Sequence, residues 1–438
     1  MSDQNTDFLN EGDTGPQVLA SEQAGPRGNA DLFPSKAALE RLMYKHKLTQ
    51  SGGLRHNWHV WVLLFGAYTA GFLYTNRDVF TDVYPYVDWG SAVSGLLFSL
   101  VGFCVFMVLL FLSFKVHIVL HEIGHMLAGF MRGMRLMLLN VGKWQYELTV
   151  TGYRWRKAGM PLGVGGVAVM VPDVNRARVY SRVDRVVYAV GGPVMNLVCG
   201  GVICWLLYRY GKPGLAWENV FFYMFAGMAL LCGVVNLLPF KTQGWHTDGR
   251  QILETIFRKD DRLLRQIMWL SGLSVEGSRP KQWPVTLLPG DDDVNRTGEE
   301  FTVLYSAQQL RLAYALDTND EKMAQGCARW LVERFHLIPD GVSQQMAFLL
   351  AVYAVQCVQD KALLAAWRPL CDEGLVDMAA GRLWLDGELA LMDGDLAMAE
   401  RCLLQSRQAL ADVMSVSEQE IMEERLCSLE RGIRRAHV

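Results

Sequence analysis

A chain of 438 residues exceeds one ordinary domain, so two or more units are expected. With 51% hydrophobic residues, 20% charged residues and a formal net charge of −3, it lacks the basic balance of a nucleic-acid-binding protein, and no nucleic-acid partner is expected. The nine cysteines form no CxxC pair, and packed, reduced thiols explain them better than a disulfide framework or a cysteine–zinc site.

Residues 1–35 are polar and rich in Gly, Pro, Asp, Asn and Gln, and are expected to be a disordered tail without a cleavable signal. The tail and a cytoplasmic N-terminal segment together fill 1–56, where Lys36, Arg41, Lys45, Lys47 and Arg55 collect. Four runs then lack any Asp, Glu, Lys or Arg: 57–76, 92–114, 186–208 and 219–240. Each has about 20 residues or more, the length that crosses a hydrocarbon core about 30 Å thick. They predict about four transmembrane helices in a membrane-embedded domain over 57–257.

Charge in the connections sets the orientation. Residues 77–90 carry one Arg against three Asp, whereas 131–185 carry ten Lys or Arg against three acids. Lys/Arg excess marks the cytoplasmic side, so both termini are expected in the cytoplasm. With no targeting peptide, the expected location is a prokaryotic plasma (inner) membrane. The run from Ala92 continues to Phe130 with scarcely a turn signal, roughly 58 Å as one helix. A second crossing there would put the ten basic residues outside, so a single crossing is expected, tilted, kinked near Gly102 or projecting. Beyond it, YELTVTGYRW and GVGGVAVMVP read as strands of a small membrane-associated β segment.

Within the long helix stands His121-Glu122-Ile123-Gly124-His125. Four helical residues advance about 400°, so His121 and His125 share one face a turn apart and can reach one tetrahedral Zn²⁺ at about 2.0–2.1 Å. Glu122 points about 100° away, toward a water at the ion rather than the ion itself. Ionisable residues at bilayer depth are expensive, and three on one helix point to function. His117 lies one turn too far to join both other histidines and reads as a supporting or structural residue. A third ligand must come from elsewhere. Asp248, after Asn236-Leu237-Leu238-Pro239, is one candidate, although an Asp before RQILETIF also suits a helix N-cap. His246 is the other.

The HEIGH sequence, Gly191-Gly192-Pro193-Val194-Met195-Asn196, and Asn236-Leu-Leu-Pro followed by Asp248-Gly249 occur in that order. Together they resemble the site-2 protease family of intramembrane zinc metalloproteases. The stretch Pro161-Leu-Gly-Val-Gly-Gly-Val-Ala168 also resembles the strand segment that follows the family's HExxH helix. The likeness covers about residues 95 to 257. It implies one zinc per chain held by His121, His125 and Asp248, with Glu122 as general base. It also implies that Asn196 positions the scissile peptide or steadies its oxyanion. Read on its own, Asn196 also suits a helix–helix hydrogen bond, and Gly191 and Gly192 suit close helix packing. One departure is the eight residues between Pro239 and Asp248, more than the commonest family spacing.

Residues 258–300 collect Gly, Pro and acids and are expected to be a linker. From 301 to 438 a soluble helical domain is expected. GRLWLDGELALMDGDLAMAERCLLQSRQAL reads as two amphipathic helices joined at DGD, like one tetratricopeptide-type repeat or an ordinary bundle, and a repeat array would bind a protein partner. The expected function is hydrolysis of a membrane-anchored protein substrate in regulated intramembrane proteolysis. The alternative is a non-catalytic membrane adaptor that binds through the helical domain.

Overall fold

The structure, a computed structural model, describes residues 29–40, 66, 92–159, 165–176, 180–210, 217–242, 245–258, 261–372 and 374–437. The first apolar run, 57–76, lies outside them except for residue 66. Helix α1, Ala92–Met131, is a single uninterrupted helix of 40 residues. No proline falls within it, so nothing removes a backbone donor along its length. It ends where Gly133 takes φ +73° and its N–H bonds the Phe130 carbonyl, a left-handed stop that glycine tolerates.

The chain then makes four strands: β1 Met134–Val141, β2 Trp144–Thr149, β3 Gly152–Lys157 and β4 Gly166–Pro172. They form one antiparallel sheet in the order β3-β2-β1-β4, which leaves β4 at an edge. Gly142 at φ +63° allows the tight turn between β1 and β2. Helix α2, Arg182–Tyr210, follows, then α3, Trp217–Leu237. Strands β5 (Lys241–Thr242) and β6 (Trp245–His246) close a small hairpin ahead of α4, Asp248–Phe257.

Two helical stretches among the described residues are long and apolar enough to cross a membrane, Cys104–Met131 and Arg182–Tyr210, and Phe221–Leu237 is a shorter apolar one. Their outer faces are what a water-soluble core helix would hide. Val105, Val108 and Leu112 on α1 and Val198 and Trp205 on α2 are each more than half exposed. Their inner faces touch through small residues. A Cβ on Gly124 would fall 2.4 Å from the Gly191 carbonyl oxygen, and one on Gly200 would fall 3.0 Å from the Ala226 oxygen. The α1–α2 and α2–α3 backbones are in contact there, and no larger residue fits without moving a helix.

The expected linker over 258–300 is corrected. It holds helix α5, Arg262–Val275, whose Leu263, Ile267 and Leu270 are buried. Gly272 of α5 lies against the Pro172 carbonyl at the end of β4. The apolar spacing of RLLRQIMWLSGL is helical, and the Gly/Pro signals beside it concealed it. Asp261 precedes α5 and is nearly fully buried among Arg182, Arg185 and Arg265, tying α5 to the start of α2.

The C-terminal unit comprises α6 Phe301–Thr318, α7 Glu321–Arg334, α8 Ser343–Tyr353, α9 Lys361–Trp367, α10 Ala379–Asp393, α11 Leu396–Gln408 and α12 Val416–Ala436. At the DGD turn Gly394 adopts φ +76° and Asp395 caps α11 by accepting from Met398 N–H. A second correction concerns residues 29–40, expected with the tail and N-terminal segment. Leu32 and Ala38 are buried in the core of this unit, and the Leu32 carbonyl accepts from the Trp367 indole at 2.9 Å. The unit also grips the sheet: Gln145 and Arg156 donate to the Leu375 carbonyl, and Arg154 pairs with Asp377 and Asp412.

Candidate metal centre and active site

Helix α1 presents His121 and His125 toward α2 and Glu122 toward β4, and all three are buried. Asp248 arrives from another part of the chain, in the first turn of α4, and is also buried. Its carboxylate oxygens lie 2.9 Å from His121 Nε2 and 3.3 Å from His125 Nε2, and the two Nε2 atoms are 3.2 Å apart. Donors bound at 2.0–2.1 Å around a tetrahedral zinc sit about 3.3 Å from one another, so the two Nε2 atoms and the carboxylate, which meets each through a different oxygen, are close enough to share one ion. Burial acts to raise the Asp248 pKa, but hydrogen bonds from His121 and His125 outweigh it and hold the carboxyl at about 2. It is therefore present as a carboxylate.

The eight residues between Pro239 and Asp248 do not displace Asp248. They fold back as the β5–β6 hairpin, and Thr247 Oγ1 donates to the Leu238 carbonyl at 2.6 Å. Gly249 then meets the end of α3, where a Cβ would overlap the Leu237 carbonyl oxygen at 1.9 Å. Thr247 stands at the N-cap of α4, which leaves the Asp248 side chain to the histidines. His246 points elsewhere: its ring nitrogens each lie 3.0 Å from a carboxylate, of Glu254 and Glu300. His117 is likewise apart, with Nε2 2.9 Å from the Phe225 carbonyl of α3, a link between α1 and α3.

Helix α2 supplies the surroundings of the histidines from one stripe, because residues four apart lie on one face. The Tyr188 carbonyl is 2.8 Å from His125 Nδ1. A carbonyl only accepts, so Nδ1 carries a proton, which leaves Nε2, the nitrogen beside Asp248, as the one that could serve an ion. Gly192 is four residues on. A Cβ there would stand 2.5 Å from His125 Nε2 and 2.7 Å from His121 Nε2, in the space beside the ligand atoms. Asn196 is four further on and fully buried, with Nδ2 3.4 Å from His121 Nδ1.

Glu122 lies against β4. A Cβ at Gly166 would be 2.7 Å from its Cγ, and its carboxylate accepts from the Ala168 N–H. The Ala168 carbonyl accepts from the Tyr188 hydroxyl. The edge of β4 that faces away from β1 thus borders the site. Sequence reasoning pointed to neither Tyr188, which meets His125 through its carbonyl and Ala168 through its hydroxyl, nor the Ala168 backbone, and it read Gly192 as helix packing alone. The spacing 188, 192, 196 was the available signal.

The family model described as Peptidase family M50 matches residues 105–215. This segment belongs to peptidase family M50, the site-2 protease family. M50 proteins are membrane zinc metallopeptidases, and the match supports metalloprotease chemistry and a membrane setting in general terms. The M50 match contains His121, Glu122, His125 and Asn196 and ends before Asp248. No curated protein and no solved structure matches the chain.

Proposed function

We propose that this protein is a zinc metalloendopeptidase that hydrolyses peptide bonds of membrane-anchored proteins, as in regulated intramembrane proteolysis. The observation that carries it is the convergence of His121 Nε2, His125 Nε2 and the Asp248 carboxylate, at contacts of 2.9, 3.2 and 3.3 Å, beside a buried Glu122. The donor set, two imidazoles and a carboxylate, suits one zinc and leaves a fourth position open.

Held by His121, His125 and Asp248, a zinc ion would supply Lewis acidity and lower the pKa of a water toward about 7. Glu122 takes a proton from the attacking water as its oxygen adds to the scissile carbonyl carbon. It then returns that proton to the leaving amide nitrogen, so that C–N breaks and an acid and an amine result. An intact transmembrane helix hides its peptide bonds, so the substrate must unwind locally, and helix-breaking residues near the cut favour this. An extended segment adding to the edge of β4 would run past Glu122, because that edge carries Ala168.

In this proposal the membrane-embedded protease domain spans 57–257 with four crossings, in a prokaryotic plasma membrane with both termini cytoplasmic. The helical unit after 301 receives a protein partner. The deciding experiment purifies wild type and Glu122→Gln, measures zinc, and offers both a panel of single-span substrates. Zinc in both proteins with cleavage by wild type alone is expected. Equal cleavage by both removes Glu122 from the chemistry, and a zinc-free wild type favours a non-catalytic adaptor.

A further inference from the structure

The two histidines of the site are held differently at their far nitrogens. His125 Nδ1 meets a carbonyl, and that contact fixes its tautomer with Nε2 free to bind an ion. His121 must adopt the same tautomer to serve the same ion, so its Nδ1 must also carry a proton and needs an acceptor. Facing it is Asn196, fully buried, with its NH₂ nitrogen 3.4 Å away. An NH₂ opposite an N–H sets donor against donor. The Asn196 amide oxygen, meanwhile, is buried with no hydrogen-bond partner. A donor set against a donor and an acceptor left alone are both unfavourable in a buried site. Rotating the amide by 180° resolves the conflict at His121: Oδ1 takes the Nδ1 proton, and the NH₂ moves to where Oδ1 now lies.

We propose, building on the zinc-protease reading, that Asn196 is a positioning residue whose amide oxygen accepts His121 Nδ1–H and presents Nε2 to the ion. Tyr188 does this for His125 through its backbone carbonyl. The two acceptors stand eight residues apart on α2 with Gly192 midway, so one face of α2 sets both ligands. This assigns the side chain to the ligand, where the family resemblance implies the substrate.

The test measures zinc affinity by chelator competition, and the absorption spectrum after cobalt substitution, for wild type, Asn196→Ala and Asn196→Asp. Asp keeps an acceptor oxygen of the same reach and lacks the NH₂ donor. Removing a partner of a ligating histidine weakens metal binding about 10–100-fold, so Ala is expected to fall by that factor with an altered cobalt spectrum, and Asp to return near the wild-type value. Wild-type affinity in Asn196→Ala overturns the assignment, as does an Asp variant as weak as Ala. Should Ala fail to fold, Asp against wild type still decides: an acceptor role keeps the affinity and the cobalt spectrum, and loss of either refutes it. A wild type that holds no zinc defeats the underlying proposal instead, and the two failures are told apart by that control.

Discussion

Gly192→Ala is the most direct probe of the site's geometry. The added methyl would lie 2.5 Å from His125 Nε2 and 2.7 Å from His121 Nε2. Ordinary contact begins at about 3.5 Å, so roughly 1 Å of movement is required. Helix α2 is not free to supply it by sliding along α1, because the neighbouring Gly191 already abuts the Gly124 carbonyl and Ala128. The imidazoles must therefore turn, and zinc ligand distances tolerate only about 0.2 Å. Zinc affinity is expected to fall at least 10–100-fold, roughly 1.4–2.7 kcal/mol, and peptide hydrolysis by about 10²-fold or more. Chelator competition and zinc content measure the first, and cleavage of a single-span substrate at saturating zinc measures the second. Gly201→Ala is the control, on the same helix with nothing within 4 Å of the added atom. It should leave zinc unchanged and stabilise α2 by up to about 1 kcal/mol. Wild-type zinc affinity in Gly192→Ala would show that the space beside the two Nε2 atoms is not where the ion sits.

Two further substitutions discriminate between roles. Asp248→Ala should weaken zinc binding by more than the roughly 100-fold of an outer partner, while His246→Asn, whose ring faces Glu254 and Glu300, keeps full zinc and loses about 1–2 kcal/mol of thermal stability. Metal analysis with thermal unfolding reads both, and zinc loss on changing His246 would reinstate it as the ligand. For Asp261, burial acts to raise the pKa, but hydrogen bonds and charge from Arg185, Arg182 and Arg265 outweigh it and leave the folded value below the ordinary one. Its contribution to stability is therefore complete above the unfolded pKa and is lost as pH falls through the folded pKa. Asp261→Asn should remove about 3 kcal/mol at neutral pH and flatten the acid limb of the stability profile, as followed by denaturant unfolding at several pH values. An unchanged acid limb would refute the assignment.

The histidine–glutamate–histidine arrangement was legible because helical periodicity alone puts His121 and His125 on one face, and the helix it needs runs unbroken. Asp248 could not be derived that way. Its place depends on Gly249 meeting Leu237 and on the hairpin that takes up the extra residues, both tertiary facts. His246 stayed in contention only because local sequence cannot tell which way a hairpin side chain faces. The Tyr188 carbonyl and the Ala168 backbone act through atoms to which residue type is nearly indifferent, so only the four-residue spacing from Tyr188 to Gly192 and Asn196 hinted at the first, and nothing local at the second. Helix α5 was obscured by flanking Gly, Pro and acidic residues that look like a linker, although its own apolar positions recur at helical spacing. The two-helix pattern around DGD was readable because Gly394 and Asp395 are stop and start signals in themselves.

Leu32, from before the first apolar run, lies in one core with residues contributed after position 301, and the same unit holds strands that follow α1 directly. Segments that share a core cannot be separated by a bilayer, so parity becomes a constraint. Between residue 40 and residue 301 the chain must traverse lipid an even number of times. The strands that follow α1 lie on that same side, so the same parity holds between residue 40 and the start of β1, which is what the proposed four-crossing arrangement requires.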